Sequence, residues 1–190
     1  MRSQVVRRPR WVPIIAGLAA GVVALLLVGG GFLGTRTFLR AEREQASGAP
    51  AGTANGKTTV AYELRDEGGA PVTVQLEVAA APEQRQIGLS KRESLAQGTG
   101  MVFLFPYKTD GRFWMKDTLV PLSIAFLDTD GTVIEVMDMQ PCKDDPCPEY
   151  GPSKPYVTAV ELNLGAFAAA GIEPGDKVVP VDLSLLPSPI

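Results

Sequence analysis

The segment Leu122–Leu127, Leu-Ser-Ile-Ala-Phe-Leu, constrains the fold most. Six residues almost wholly apolar and rich in strand-favouring types read as a β-strand buried on both faces. It sits in a longer stretch, Phe113 to Met139, around which the rest of the outer chain can be packed. Its partner, Thr132–Met139, alternates: Val133, Glu135 and Met137 are expected to point one way, and Ile134, Val136 and Asp138 the other. Between them Asp128-Thr129-Asp130-Gly131 supplies a tight turn, with Gly131 free to take positive φ.

The flanking sequence is mostly strands. Thr58–Arg65 and Val72–Val78 both alternate and, joined by the Gly-rich turn 66–71, make a hairpin with Val72, Val74, Leu76 and Val78 on one face. Pro82 opens a short helix, with Glu83 at its positive end and Gly88 limiting it to two or three turns. Met101–Phe105 is a short apolar strand stopped by Pro106, and Pro155–Asn163 is another. Gly165–Gly171 is a short alanine-rich helix, and Lys177–Leu183 is the closing strand. The fold class is mainly β: a small β-barrel or sandwich-like domain with two short helices.

One transmembrane helix is expected to precede this domain. Trp11 to Gly34 runs 24 residues without a charged side chain, framed by Arg2, Arg7, Arg8 and Arg10 before it and Arg36 and Arg40 after it. About 20 helical residues span the roughly 30 Å hydrocarbon core. The arginine excess on the N-terminal side places residues 1–10 in the cytoplasm and the C-terminal domain outside, a single-pass signal anchor in the cell membrane. A cleaved signal peptide, which would leave a secreted domain, is the alternative. Against it, no small-x-small site closely follows the apolar core. Residues 35–57 turn from charged helix formers to Ala, Gly, Pro and Ser and read as a flexible linker; Ala41–Lys57 alone reaches roughly 20 to 25 Å.

Residues 58–190 carry 10 basic and 19 acidic side chains, a formal charge of −9. That balance argues against nucleic acid as a partner. The chain has no histidine, which removes the commonest general base and the commonest metal ligand. Asp128-x-Asp130-Gly131 resembles the start of a calcium loop but lacks the distant glutamate, so a hairpin turn explains it better. Met101, Met115, Met137 and Met139 fall at strand spacing and read as core. No metal site and no cofactor is expected. Cys142 and Cys147, both on the outer side of this topology, read as a structural disulfide stiffening the Pro141–Pro155 loop.

The segments GLSKRESLAQGTGMVFLF, RFWMKDTLVPLSIAFLDTDGTVIEVMDMQPC, DPCPEYG and YVTAVELNLGAFAAAGIEPGDKV together resemble the DUF192 family of uncharacterised bacterial and archaeal proteins, over about residues 72 to 182. The resemblance implies a small mainly-β fold, often exported or membrane-tethered, with no agreed activity. The chain departs from the family at Asp117, where asparagine is the more frequent residue.

Arg92, Lys116, Asp117, Glu135 and Glu161 are charged residues set within these otherwise apolar segments. The candidate ligand-binding set is Arg92, Trp114, Lys116, Asp117 and Glu135. In it Arg92 and Lys116 hold an anionic or polyhydroxyl group and Trp114 offers a stacking face. The bland reading is an ion pair between Lys116 and a neighbouring carboxylate, with Trp114 in the core. The expected function is a membrane-tethered binding or accessory module at the cell envelope, toward a glycan, peptide or protein. A carboxylate-based envelope hydrolase and a structural component of an envelope complex are the alternatives.

Overall fold

A computed structural model describes residues 53–54 and 57–187 of the chain. The expected transmembrane helix at residues 11–34 lies outside them. Strand β1 (Thr53–Ala54) pairs antiparallel with the start of β2 (Lys57–Arg65), so Lys57 already belongs to the sheet. In β2 Val60, Tyr62 and Leu64 are buried and their neighbours less so. β3 (Val72–Ala79) pairs antiparallel with it and buries Val74, Leu76 and Val78, the period-two pattern of a hairpin with one face in the core. Val72 stays exposed at the strand's start.

Helix α1 (Pro82–Ile87) has six residues, under two turns and shorter than expected, because Gly88 leaves helical geometry at φ 51. Its N-terminus is capped by Gln84, whose Oε1 accepts from the backbone N–H groups of Ala80 and Ala81 at 3.0 and 2.9 Å. The helix carries the chain over to β4 (Thr99–Thr109), which runs parallel to β3. Contrary to expectation, β4 continues through Pro106. The register breaks between Leu104 and Thr109, and such an irregularity accommodates a residue with no N–H to donate.

Next come β5 (Phe113–Trp114), β6 (Leu122–Leu127), β7 (Val133–Met139), β8 (Glu149–Tyr150), β9 (Tyr156–Asn163), α2 (Ala166–Ala169) and β10 (Lys177–Pro180). The strand expected to run on to Leu183 stops at Pro180, and a 3-10 turn at Leu183–Leu185 replaces its end. The sheet order is β1-β2-β3-β4-β9-β6-β7, with β10 also on β2, while β5 and β8 form a separate two-stranded ribbon. Seven principal strands thus curl into a half-barrel. At one point the rim is drawn together, where Val133 and Gly131 exchange backbone hydrogen bonds with residues 175–178 at 2.8 to 2.9 Å.

All six residues of β6 are buried, and they serve two cores. Ala125 and Leu127 join Val60, Leu76, Val102 and Val160 in a cluster fed by β2, β3, β4, β6, β7, β9 and β10, which places it on the concave side. Leu122, Ile124 and Phe126 join Met101, Phe103, Met115 and Tyr156 on the other face. In β7 the expected alternation fails for a specific reason. Leu127 pairs with Val133 but Phe126 with Glu135, so Ile134 is a bulge residue. Val133 and Val136 therefore share the concave core, while Ile134, Met137 and Met139 turn to the other.

Candidate binding cleft

The convex face of β4, β9 and β6 is covered by two irregular segments, and the cleft lies between them. The first is α1 with the loop that follows it. Arg85 donates to the carbonyl of Ala80 and, at 3.0 Å, to that of Leu104, and its guanidinium lies 5.0 Å from the Phe105 ring centroid. Farther along, Asn163 Nδ2 donates to the carbonyls of Leu95 and Ala96, both at 3.1 Å. Arg92 grips Glu77 on β3 in a two-pronged pair at 2.5 and 2.7 Å, which holds the Glu77 carboxyl below its ordinary value.

The second segment is Gly111–Thr118 with the β5–β8 ribbon. Asp117 takes φ 57, a left-handed conformation that short Asn and Asp side chains tolerate best. Its carbonyl accepts from the Lys91 N–H at 2.8 Å, tying the two covering segments together. Its own N–H donates to Cys142, which is joined to Cys147 in a disulfide with Cα atoms 5.8 Å apart. The ring so closed presents the Lys143 carbonyl and Asp145 to Lys116 Nζ, at 3.0 and 2.8 Å. The Asp145 carboxylate raises the Lys116 pKa.

Between these segments opens a cleft of about 280 Å³. Its aromatic lining includes Phe103, Phe105, Phe113 and Tyr156, with Ile87 and Trp114 beside them. The rings meet edge to face, Phe103 with Phe113 at 5.0 Å and Phe105 with Tyr156 at 5.4 Å between centroids. Tyr156 donates its hydroxyl to the Gly111 carbonyl at 2.8 Å, and burial pushes its pKa up to about 12. Trp114 is not core: it is 62% exposed. Arg85, Arg112 and Lys116 also line the cleft.

Glu161 stands apart from these groups. It occupies the middle of β9, paired across to Met101 on β4 and Ile124 on β6, and is only 5% exposed. Burial pushes its carboxyl up to about 8. Among the described residues it has no ion pair, and no side-chain hydrogen bond accounts for its shift, which comes from burial alone. Since no fully buried side-chain oxygen lacks a partner, its oxygens open onto the cleft that it lines.

Of the residues singled out in the sequence, the structure brings Trp114 and Lys116 to this cleft, together with Glu161. Arg92 is engaged with Glu77, Asp117 acts through its backbone, and Glu135 accepts from the Ser153 N–H at 3.0 Å; none of the three lines the cleft. Arg85, Arg112 and Tyr156 were not in the candidate set. Glu161 carried a legible signal, an acidic residue between Val160 and Leu162 in an apolar strand. The turn carboxylates are taken by protein donors, Asp128 by Lys108 at 2.9 Å and Asp130 by Lys177 at 2.7 Å. Among the described residues no cluster of three His, Cys, Asp or Glu side chains is placed to hold a metal ion.

The DUF192 family model, described as an uncharacterised ACR, matches residues 63–180, a span that contains every residue of the cleft. No curated protein matches the chain. One similar solved structure, from Sinorhizobium meliloti 1021, is described as a putative transcription regulator. It is 27% identical with a TM-score of 0.61, over 68% of this chain and 97% of that one. Another, a protein of unknown function from Novosphingobium aromaticivorans DSM 12444, is 28% identical with a TM-score of 0.62, over 70% of this chain and 93% of that one.

Proposed function

The chain belongs to the DUF192 family, and we propose that it is a membrane-tethered, extracytoplasmic binding or accessory module that takes a small ligand into the cleft beside Trp114. The observation that carries this reading is Glu161, a buried carboxyl that faces an aromatic-lined cleft and has no protein partner among the described residues. Its oxygens reach the cleft rather than a protein donor, so a carboxyl in an otherwise apolar stretch of sheet is left free to hydrogen-bond whatever enters there. A ligand's hydrogen-bonding group supplies the missing partner. The exposed Trp114 and Ile87 add apolar surface to the same concave site.

The tether rests on the arginine-framed span Trp11–Gly34, and the paired cysteines suit an oxidising compartment. Removal of the span by cleavage would give a secreted module with the same cleft. Hydrolysis by a carboxylate pair is less well supported, because among the described residues Glu161 is the one carboxylate lining the cleft and that chemistry needs two. The −9 charge of residues 58–190 argues against nucleic acid as a partner of this chain, although the Sinorhizobium meliloti structure is described as a putative transcription regulator.

Two measurements test the proposal. Cells expressing the full chain are fractionated and washed with alkali: retention in the membrane, with the C-terminal domain digested by externally added protease, is expected, and a soluble cytoplasmic chain would sink the tether. The purified chain is then screened by thermal shift against glycans, peptides, amines and organic acids. A ligand at 100 times its dissociation constant adds about 2.7 kcal/mol, a shift of several degrees. A saturable shift lost in Trp114→Ala supports the cleft as the site, and no shift across the whole panel removes the binding module.

A further inference from the structure

We infer that the cleft takes a sugar acid: one pyranose ring lying on Trp114, its carboxylate held by Arg112 and its hydroxyls reaching Glu161. This deepens the binding-module reading and rests on it. The charge at the cleft selects the ligand's sign. Arg85, Arg112 and Lys116 all line it; Asp145 and Glu149 offset Lys116 and Arg112 in part, and the lining that remains favours an anion over an ammonium ligand.

The three cations are not equally available. Arg85 is committed to two backbone carbonyls and the Phe105 face, and Lys116 to Asp145 and the Lys143 carbonyl. Among the described residues Arg112 has only Glu149 within ion-pair range, at 3.7 Å, beyond hydrogen-bond length, and half of its side chain is exposed. Its planar fork is therefore open to a carboxylate, which it can grip through two parallel hydrogen bonds.

Glu161 selects the other end of the ligand. Its neighbours on β4 and β6 are the apolar Met101 and Ile124, and the charged or titratable groups that share the cleft with it are Arg85, Arg112, Lys116 and Tyr156. Burial keeps it protonated at neutral pH, so it offers one O–H donor and an acceptor oxygen. A sugar hydroxyl satisfies both, whereas an ammonium group can donate to the acceptor oxygen but has nothing to accept the O–H. The volume of about 280 Å³ is close to the lower limit of roughly 300 Å³ for small-ligand sites, which suits a single ring. Trp114, exposed beside it, supplies the apolar face on which a pyranose stacks.

The test is calorimetric titration of the full-length chain in detergent. The probes are D-glucuronic, D-galacturonic and N-acetylmuramic acids, with D-glucose, D-galactose and N-acetylglucosamine as neutral counterparts and choline as the ammonium probe. At least one acid should bind saturably and roughly tenfold or more tighter than its neutral counterpart, and Arg112→Ala should abolish that ratio. Affinity should fall about tenfold from pH 7 to pH 9 as Glu161 ionises, because neither the sugar carboxylate nor arginine titrates there. Glu161→Gln, which keeps a donor, should flatten the fall to less than about twofold. Equal binding of acid and neutral sugar, or choline binding that strengthens with pH, overturns the sugar acid and leaves a binding module in place. No saturable heat from any probe also overturns it, while the wider thermal-shift panel decides the module separately.

Discussion

Because burial alone holds the Glu161 carboxyl up at about 8, the folded chain retains a proton that the unfolded chain releases near the ordinary value of 4.5. Between those two values the folded state binds more protons than the unfolded one, so this residue's contribution to stability is full below about 4.5 and is lost as pH rises to about 8. Glu161→Gln has no such proton to lose. Relative to wild type it should gain on the order of a few kcal/mol between pH 5 and pH 9, read from urea midpoints at the two pH values. A wild-type and variant difference independent of pH would mean that the carboxyl is solvated or paired. In the sequence Glu161 was visible as an oddity in an apolar strand, but its role depends on two neighbouring strands that supply only Met101 and Ile124.

At the scale of elements, β6 is the clearest success of pattern reading. Its unbroken apolar run required burial on both faces, and the strand serves both cores through alternate residues. Phe126, fully buried with Tyr156 at 4.9 Å between ring centroids, should cost roughly 3–5 kcal/mol when changed to Ala. Trp114→Ala, on an exposed residue of a two-residue strand, should stay within about 0.5 kcal/mol, both variants being read from thermal melts against wild type. Comparable losses at the two positions would place Trp114 in the core after all. The partner strand β7 was less legible, since a single bulge at Ile134 reverses the parity of every residue after it. Strands β5 and β8, two residues each, are too short to carry a period, and they exist because Phe113 and Trp114 find Tyr150 and Glu149 across the ribbon.

For the molecule as a whole, the half-barrel depends on bringing β10 onto β2 and onto the β6–β7 turn at once. Gly131 is the pinch point: it holds φ +78, and an added Cβ would stand 2.7 Å from Val179 Cγ1 and 2.8 Å from the Val178 carbonyl oxygen. Gly131→Ala should therefore lower stability by about 1–3 kcal/mol in urea denaturation, and an unchanged midpoint would show that the turn and β10 do not depend on each other. The sequence by itself determined the mainly-β class, the β2–β3 and β6–β7 hairpins, the Cys142–Cys147 pairing and the family, since each rests on local period, turn chemistry or short separation. Only the tertiary structure decided the strand order, the parallel passage from β3 to β4, and which charged residues meet at the cleft. Those outcomes depend on contacts between residues far apart in the chain, such as Lys116 with Asp145 and Glu161 with the layer that covers it, and no local pattern encodes them.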